Sequence, residues 1–153
     1  PAVVEEPDNI AARGGMQVGA CLAGIAFLKG LGLVHAISHM VGAEYDTHHG
    51  LTNAVVLPAV LRFNEPAIAG KVPAMMRALG QPGTDFDEFY RYVCGLLDQF
   101  QIPRTLSELG VPESAVEALT IKALKDAAAG TNPRVSDAAS LTTVISEAIT
   151  VGR

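Results

Sequence analysis

The four histidines of this 153-residue chain all lie within one fifteen-residue stretch. His35 and His39 are four residues apart, so on an α-helix they would share one face and their rings could converge. His49 follows ten residues after His39, beyond a glycine-containing segment that could fold back to the same point. Because neutral imidazole binds zinc and iron(II) well, this spacing indicates a metal site.

The spacing alone leaves other interpretations of the cluster open. Some of the histidines could be hydrogen-bonded groups within a helix bundle, or exposed loop residues. The cluster could also respond to pH, because several imidazoles with pKa values near about 6.5 would titrate together. Glu44 and Asp46 are nearby carboxylates, but both are predicted in a loop, where they could face solvent. No serine-nucleophile motif, Cys–His pair or carboxylate pair in the sequence offers a competing catalytic site.

The composition is apolar, with 49% hydrophobic and 18% charged residues and no tryptophan. It indicates packed helices and a surface that normally contacts another surface. A net charge of −5 and scattered basic residues argue against nucleic-acid binding, which needs a basic patch. Cys21 and Cys94 lie in no CxxC pattern, so we predict two buried thiols in a reduced, cytosolic protein.

The apolar stretch from Gly14 to Val34 is long enough to raise the question of a membrane span. Gln17, Lys29 and five glycines interrupt it, and no basic leader or small-residue cleavage site indicates a signal peptide. A helix that is apolar on most sides can also form the centre of a helical core, and we favour that interpretation. We therefore expect a cytoplasmic protein without a membrane partner.

Hydrophobic periodicity predicts an all-α chain, a single domain of about seven or eight helices, with no strand. In its first half we predict a long helix capped by Asp8, a shorter helix over Val34–Met40 and a polar loop over Gly42–Gly50. A helix over Leu51–Phe63 follows, which Pro58 should kink or end. A short helix then runs from Asn64 to the turn at Gly80.

The second half contains one continuous apolar stripe at helical spacing, which predicts a helix capped by Thr84. Its members are Phe86, Phe89, Tyr90, Val93, Leu96, Leu97 and Phe100. Thr105 to Glu108 forms a capping box, and a further helix is predicted from Pro112 to Gly130. Ser136 is predicted to cap the last helix, whose buried residues should include Leu141, Val144, Ile145 and Ile149.

Residues 30–64 read GLGLVHAISHMVGAEYDTHHGLTNAVVLPAVLRFN. This run resembles the second signature of the iron-containing (group III) alcohol dehydrogenases, approximately GxxHxxxHxxGxxYxxPHGxxNAxxLPxVxxFN. The flanking segments AARGGMQVGACLAGIAF, IPRTLSELGVPE and TNPR are similar to the same family. The resemblance covers most of the chain and implies the C-terminal helical half of a dehydroquinate-synthase-like fold.

The resemblance assigns roles to three of the histidines. It implies that His35 and His49 are metal ligands, and that His39 lies in the catalytic cleft beside the nicotinamide and assists proton transfer. His48 stands where many family members have proline, and Gly50 fixes the register that selects His49 as the ligand.

The resemblance also implies hydride transfer between an alcohol and NAD(P), with iron(II) or zinc polarising the alcohol oxygen. Maleylacetate reductases and glycerol dehydrogenases share this layout and are alternatives within the superfamily. A non-catalytic helical module, with a structural or empty histidine cluster, is an alternative from another class. The high apolar content indicates self-association as a homo-oligomer.

The family's ligand set comprises an aspartate and three histidines, of which this chain carries His35 and His49. The other two belong to a DxxxH-type helix, which is absent from residues 1–153, as is the N-terminal nucleotide-binding domain with its glycine-rich loop. We therefore expect residues 1–153 to be a C-terminal all-helical metal-binding domain. Alone, it should have weak metal affinity at best and no dehydrogenase activity towards alcohol or aldehyde substrates.

Overall fold

A computed structural model describes residues 1–153, and it confirms the all-α prediction. No residue forms a strand, and 3₁₀ turns join several of the helices. The eight α-helices are α1 (Ala2–Glu5), α2 (Ile10–Ala26), α3 (Gly32–Tyr45), α4 (His49–Ile68), α5 (Val72–Ala78), α6 (Phe86–Gln99), α7 (Val116–Ala123) and α8 (Ala138–Thr150).

The chain divides into two compact units, Pro1–Gly30 and Leu31–Arg153. In the N-terminal unit, α2 is capped by Asn9, whose Oδ1 accepts the Ala12 amide at 2.9 Å, and not by Asp8 as predicted. None of its residues is buried, so the prediction that this helix forms the centre of a core is wrong for this chain. The apolar helical stretch Ile10–Lys29 is long and apolar enough to cross a membrane by length and composition alone.

The core of the C-terminal unit lies between α3, α4, α7 and α8, where α3 packs on α4 and α7, and α8 packs on α4 and α7. The predicted buried residues of the last helix are confirmed: Leu141, Val144, Ile145 and Ile149 are at most 3% exposed. The cap of that helix is Asp137 rather than Ser136, and its Oδ1 accepts the Ser140 amide at 2.8 Å.

A smaller apolar cluster forms where α6 packs against α4 and α5. The helix predicted from the apolar stripe is confirmed, but only Phe86 and Tyr90 of that stripe are buried. Arg62 of α4 lies over the Tyr90 ring at 4.4 Å, which adds a cation–π contact to the cluster. The N-cap is Asp85, not Thr84, in a reciprocal capping box with Glu88.

Helix α4 continues through two prolines, so it does not end at Pro58, which was one of the two outcomes predicted there, and the separate helix predicted from Asn64 is wrong. A proline inside a helix removes a hydrogen bond at a cost of about 3 kcal/mol. Burial of apolar side chains around Pro58 opposes that cost. These side chains are Val55, Val56, Ala59 and Val60, each at most 3% exposed.

The helix predicted from Pro112 to Gly130 is broken in the structure. A 3₁₀ turn precedes α7, and a second 3₁₀ turn over Ala127–Thr131 follows it. Asp126 caps this second turn, with its Oδ1 accepting the Ala128 amide at 2.8 Å. The break therefore sets the position of Asp126. The capping contacts between Thr105 and Glu108 are present, as predicted.

The two thiols are not both buried, which corrects the prediction from the cysteine pattern. Cys21 is exposed and Cys94 is half-buried. Cys21 belongs to α2, which buries no residue, and Cys94 lies at the margin of the α6 cluster.

We expect Ile145→Ala to lower the free energy of unfolding by about 2–5 kcal/mol, because Ile145 is fully buried and truncation leaves a cavity. Ile121→Ala is the matched control, since the Ile121 side chain is 49% exposed, and it should change stability by less than about 0.5 kcal/mol. Urea unfolding would measure both values. Equal losses in the two variants would contradict the assignment of the core.

Candidate functional site

The site is built where α3 turns back into α4. Asp46 ends α3 in the left-handed region, at φ 50°, and its amide bonds the Gly42 carbonyl. Aspartate tolerates this backbone conformation better than most residues with a side chain. His48 is the N-cap of α4, and its Nδ1 accepts the Leu51 amide at 3.3 Å. The reversal therefore takes only residues 46–48, and His49 is already the first residue of α4.

This tight reversal brings the rings of His35, His39 and His49 together. The ring centroids are 5.2 Å apart for His35 and His49, 5.6 Å for His39 and His49, and 5.8 Å for His35 and His39. The convergence expected from the sequence is therefore present in the structure. His48 does not join these rings, because its imidazole serves as the helix cap.

His39 is paired with a carboxylate that the sequence analysis missed. Its Nδ1 lies 3.0 Å from Oδ2 of Asp126, and the Asp126 side chain is only 15% exposed. Burial alone would raise the pKa of Asp126, but the hydrogen bonds from His39 and from the Ala128 amide outweigh it and lower that pKa. An ionised carboxylate only accepts hydrogen bonds, so Nδ1 of His39 carries the proton and the neutral ring has its lone pair on Nε2.

Asn53, one turn after His49 on α4, lies between the other two rings. Its Nδ2 is 3.3 Å from Nε2 of His35 and 3.1 Å from Nε2 of His49. Since the amide nitrogen is a donor, both Nε2 atoms accept and carry no proton. The other end of the amide, Oδ1, is buried and has no hydrogen-bond partner.

His35 is disposed to stay neutral. Burial lowers its pKa, and the neighbouring imidazoles of His49 and His39 lower it further, while a hydrogen bond to the backbone of Leu31 acts in the opposite direction. A bond that favours the protonated ring is a donation from that ring. With Nε2 accepting from Asn53, the donor is Nδ1.

Asn132 connects the three segments that carry the site. Its Oδ1 accepts the Leu33 amide at the start of α3, at 3.2 Å. It also exchanges two hydrogen bonds with Asn64 of α4, at 3.1 and 2.6 Å. Thr131, the residue before Asn132, accepts the Gly32 amide at 3.1 Å. The segment that carries Asp126 is therefore bonded to both histidine helices.

The nearby carboxylates of the sequence analysis lie outside the cluster. Glu44 forms an ion pair with Lys122 of α7, and Asp46 is exposed at the end of α3. Within residues 1–153 no group of three or more His, Cys, Asp or Glu side chains is arranged to hold a metal ion. The unprotonated Nε2 atoms of His35, His39 and His49 are donors that can form part of the coordination shell of a divalent metal.

Two residues of the site, Asn53 and Asp126, were not predicted. Asn53 lies inside the signature itself, four residues after His49, and that helical spacing was the available signal. Asp126 lies 87 residues from its partner His39, and only its closeness to the segment TNPR was a signal.

Comparisons with known proteins agree on one family. A family model described as "Fe-containing alcohol dehydrogenase family, C-terminal" matches residues 1–149. The probable alcohol dehydrogenase EutG of Escherichia coli (strain K12) is 34% identical over 137 residues, which are 89% of this chain and 35% of that protein. The NAD-dependent methanol dehydrogenase of Bacillus methanolicus is 33% identical, over 97% of this chain and 41% of that protein.

Solved structures agree with the sequence relatives. A crystal structure of 1,3-propanediol oxidoreductase superposes with a TM-score of 0.90 at 32% identity, over 96% of this chain and 40% of that one. An alcohol dehydrogenase from Oenococcus oeni gives a TM-score of 0.89 at 28% identity, over 95% of this chain and 40% of that one. The chain thus spans about two fifths of the length of the proteins that it matches.

The Asp126–His39 pair should make stability depend on pH. Because the pKa of Asp126 is lowered in the folded chain, its ionised carboxylate stabilises the fold at neutral pH, and this contribution is lost as the pH falls through the lowered pKa. We therefore expect Asp126→Asn to unfold more readily than wild type at pH 7, and the difference to shrink at about pH 3. Urea unfolding at both pH values is the measurement, and a difference that does not change with pH would contradict the assignment.

Proposed function

This chain belongs to the Fe-containing alcohol dehydrogenase family, and from that membership we propose that residues 1–153 form the metal-binding C-terminal domain of an alcohol oxidoreductase. The enzyme would transfer hydride between a small alcohol or aldehyde and NAD(P). The observation that carries the proposal is the convergence of His35, His39 and His49, with ring centroids 5.2–5.8 Å apart.

We assign His35 and His49 as metal ligands through Nε2. The lowered pKa of His35 keeps that imidazole neutral, as coordination requires, and both Nε2 atoms already act as acceptors. His35 also has the pattern expected of a ligand, because its other ring nitrogen donates to a backbone carbonyl. When bound, iron(II) or zinc would supply a Lewis acid for the alcohol oxygen.

We assign His39 to proton transfer at the catalytic cleft beside the nicotinamide. Asp126 holds the Nδ1 proton of His39, so the Nε2 lone pair is available to accept the hydroxyl proton of an alcohol. In the reverse direction the same nitrogen returns the proton to the product oxygen. In both directions the ionised carboxylate of Asp126 keeps the other proton of the ring on Nδ1 through its hydrogen bond to that nitrogen. NAD(P) supplies the hydride chemistry.

The remaining parts of such an enzyme are proposed to lie outside residues 1–153. They comprise a nucleotide-binding domain and a helix with an aspartate and a third histidine ligand. Two imidazoles make an incomplete shell, which is consistent with the lack of a complete metal-ligand group in this chain. We also propose a cytoplasmic homo-oligomer. Exposed apolar side chains on α2, among them Met16, Leu22 and Ile25, support contact with another protein surface.

The substrate is proposed to be small. Relatives of this chain are named for methanol, butanol, lactaldehyde and 1,3-propanediol. These names share a short carbon chain with a hydroxyl or an aldehyde group. Activity with such alcohols, rather than with maleylacetate or glycerol, would separate the proposal from the alternatives within the superfamily.

Zinc titration tests the ligand assignment. Wild-type chain should bind Zn²⁺ weakly, and His35→Ala and His49→Ala should each abolish that binding, because each variant removes one of the two assigned ligands. His48→Ala is the matched control: it removes an exposed neighbouring imidazole that serves as a helix cap, so it should lower stability by about 0.5–2 kcal/mol and leave zinc binding unchanged. Equal binding by all four proteins would assign zinc to another place and contradict the proposal.

Residues 1–153 alone should produce no NAD(P)H from methanol, 1-propanol or 1,3-propanediol in the presence of iron(II) or zinc. The reason is that this domain supplies only two of the metal ligands, and that the nucleotide-binding domain is proposed to lie outside these residues. Absorbance of the reduced nicotinamide, read against a blank without protein, is the measurement. Turnover by the chain alone, above the turnover of His35→Ala, would show that this domain is sufficient.

A further inference from the structure

The amide of Asn53 occupies the point on which the lone pairs of His35 and His49 converge. One nitrogen, Nδ2, serves both rings, at 3.3 Å from Nε2 of His35 and 3.1 Å from Nε2 of His49. Neighbouring ligands of a metal bound at about 2.0–2.2 Å are separated by similar distances of roughly 3 Å. The amide nitrogen therefore lies from both Nε2 atoms at the distance of a neighbouring ligand of the same ion.

The same two hydrogen bonds select the ring tautomers. Both Nε2 atoms must be unprotonated to accept from Asn53, so both protons are placed on Nδ1. His35 has a second constraint with the same effect, because its ring also hydrogen-bonds the backbone of Leu31. Of the two rings, His49 therefore depends more on Asn53 for its tautomer.

We propose that Asn53 acts as an internal competitor of the metal: its amide holds His35 and His49 in the coordinating tautomer and occupies the Nε2 lone pairs that the metal would take. This inference rests on the proposed assignment of His35 and His49 as ligands. Asn53 is thus a positioning residue, and it acts on the metal through the two imidazoles.

Competition follows from the hydrogen-bond inventory of the amide. A metal ion takes both lone pairs, so both N–H groups of Asn53 lose their acceptors when it binds. The other end of the amide offers no compensating hydrogen bond, since Oδ1 is already buried without a partner. Removing the amide should therefore favour metal binding by roughly tenfold, the scale of the net contribution of one or two such hydrogen bonds to an equilibrium.

The test compares wild type, Asn53→Ala and Asn53→Asp by Zn²⁺ titration and by ¹⁵N NMR of the imidazoles. In the metal-free wild type both His35 and His49 should show an Nδ1–H tautomer. In Asn53→Ala, His49 should move towards the Nε2–H form that predominates in water, whereas His35 should move less because its ring also bonds the backbone of Leu31.

Asn53→Ala should bind Zn²⁺ roughly tenfold more tightly than wild type. Asn53→Asp should bind more tightly again, because its carboxylate can serve as a third ligand.

Gln99→Ala is the matched control, since it removes an exposed helical amide at the end of α6 and should change neither readout. The proposal is overturned if Asn53→Ala binds Zn²⁺ no more tightly than wild type, or if the His49 tautomer is unchanged in that variant. If zinc binds wild type and the double variant His35→Ala/His49→Ala alike, the ligand assignment fails instead. Absence of zinc binding in both wild type and Asn53→Ala would overturn both.

Discussion

The carboxamide of Asn132 is the contact on which the geometry of the site depends. Its Oδ1 accepts from the Leu33 amide and from Asn64, and its Nδ2 donates to Asn64 and to the Arg134 carbonyl. Two lone pairs and two protons are therefore all used, which makes this half-buried amide a fully satisfied polar group. Leu31 provides no side-chain cap for α3, so the amides at the start of that helix depend on Thr131 and Asn132. Gly32 is suited to this close approach, because it has a positive φ of 71° and a Cβ there would lie 3.2 Å from Oδ1 of Asn132.

The three clustered imidazoles lie close together but have different hydrogen-bond partners, and those partners determine which ring nitrogen carries the proton. The carboxylate of Asp126 accepts a hydrogen bond from Nδ1 of His39, which leaves the lone pair of that neutral ring on Nε2. A neutral amide on Nε2 of His35 and His49 favours the unprotonated nitrogen that a metal needs. Burial lowers the pKa of His35, and the neighbouring imidazoles of His49 and His39 lower it further. One cluster thus contains imidazoles with two kinds of hydrogen-bond partner, a carboxylate and a neutral amide.

The local sequence predicted which segments form helices better than it predicted the residues at which those helices begin and end. The stripe of α6 and the buried face of α8 followed from helical periodicity, since each lies within a single helix. The prolines of α4 and the break before Asp126 were misjudged, because their outcome depends on packing between segments and not on propensity. For α2, the apolar composition predicted burial, but burial also requires a surface to pack on, and within these residues none of its side chains is buried.

Sequence alone determined the all-helical class, the family and the identity of His35, His39 and His49 as the residues to bring together. Those features are encoded over short distances, as helical spacing and as a contiguous signature. Tertiary structure decided what each imidazole is bonded to. Asp126 reaches His39 from 87 residues away, and Asn132 reaches Asn64 from 68 residues away, so neither pairing leaves a local pattern. The proton position on His39 follows from its bond to the distant Asp126, because a neutral imidazole has its lone pair on the nitrogen that does not donate. Asn53, which contacts His35 and His49, lies within the signature itself, yet only the folding of α3 onto α4 brings it between the two rings.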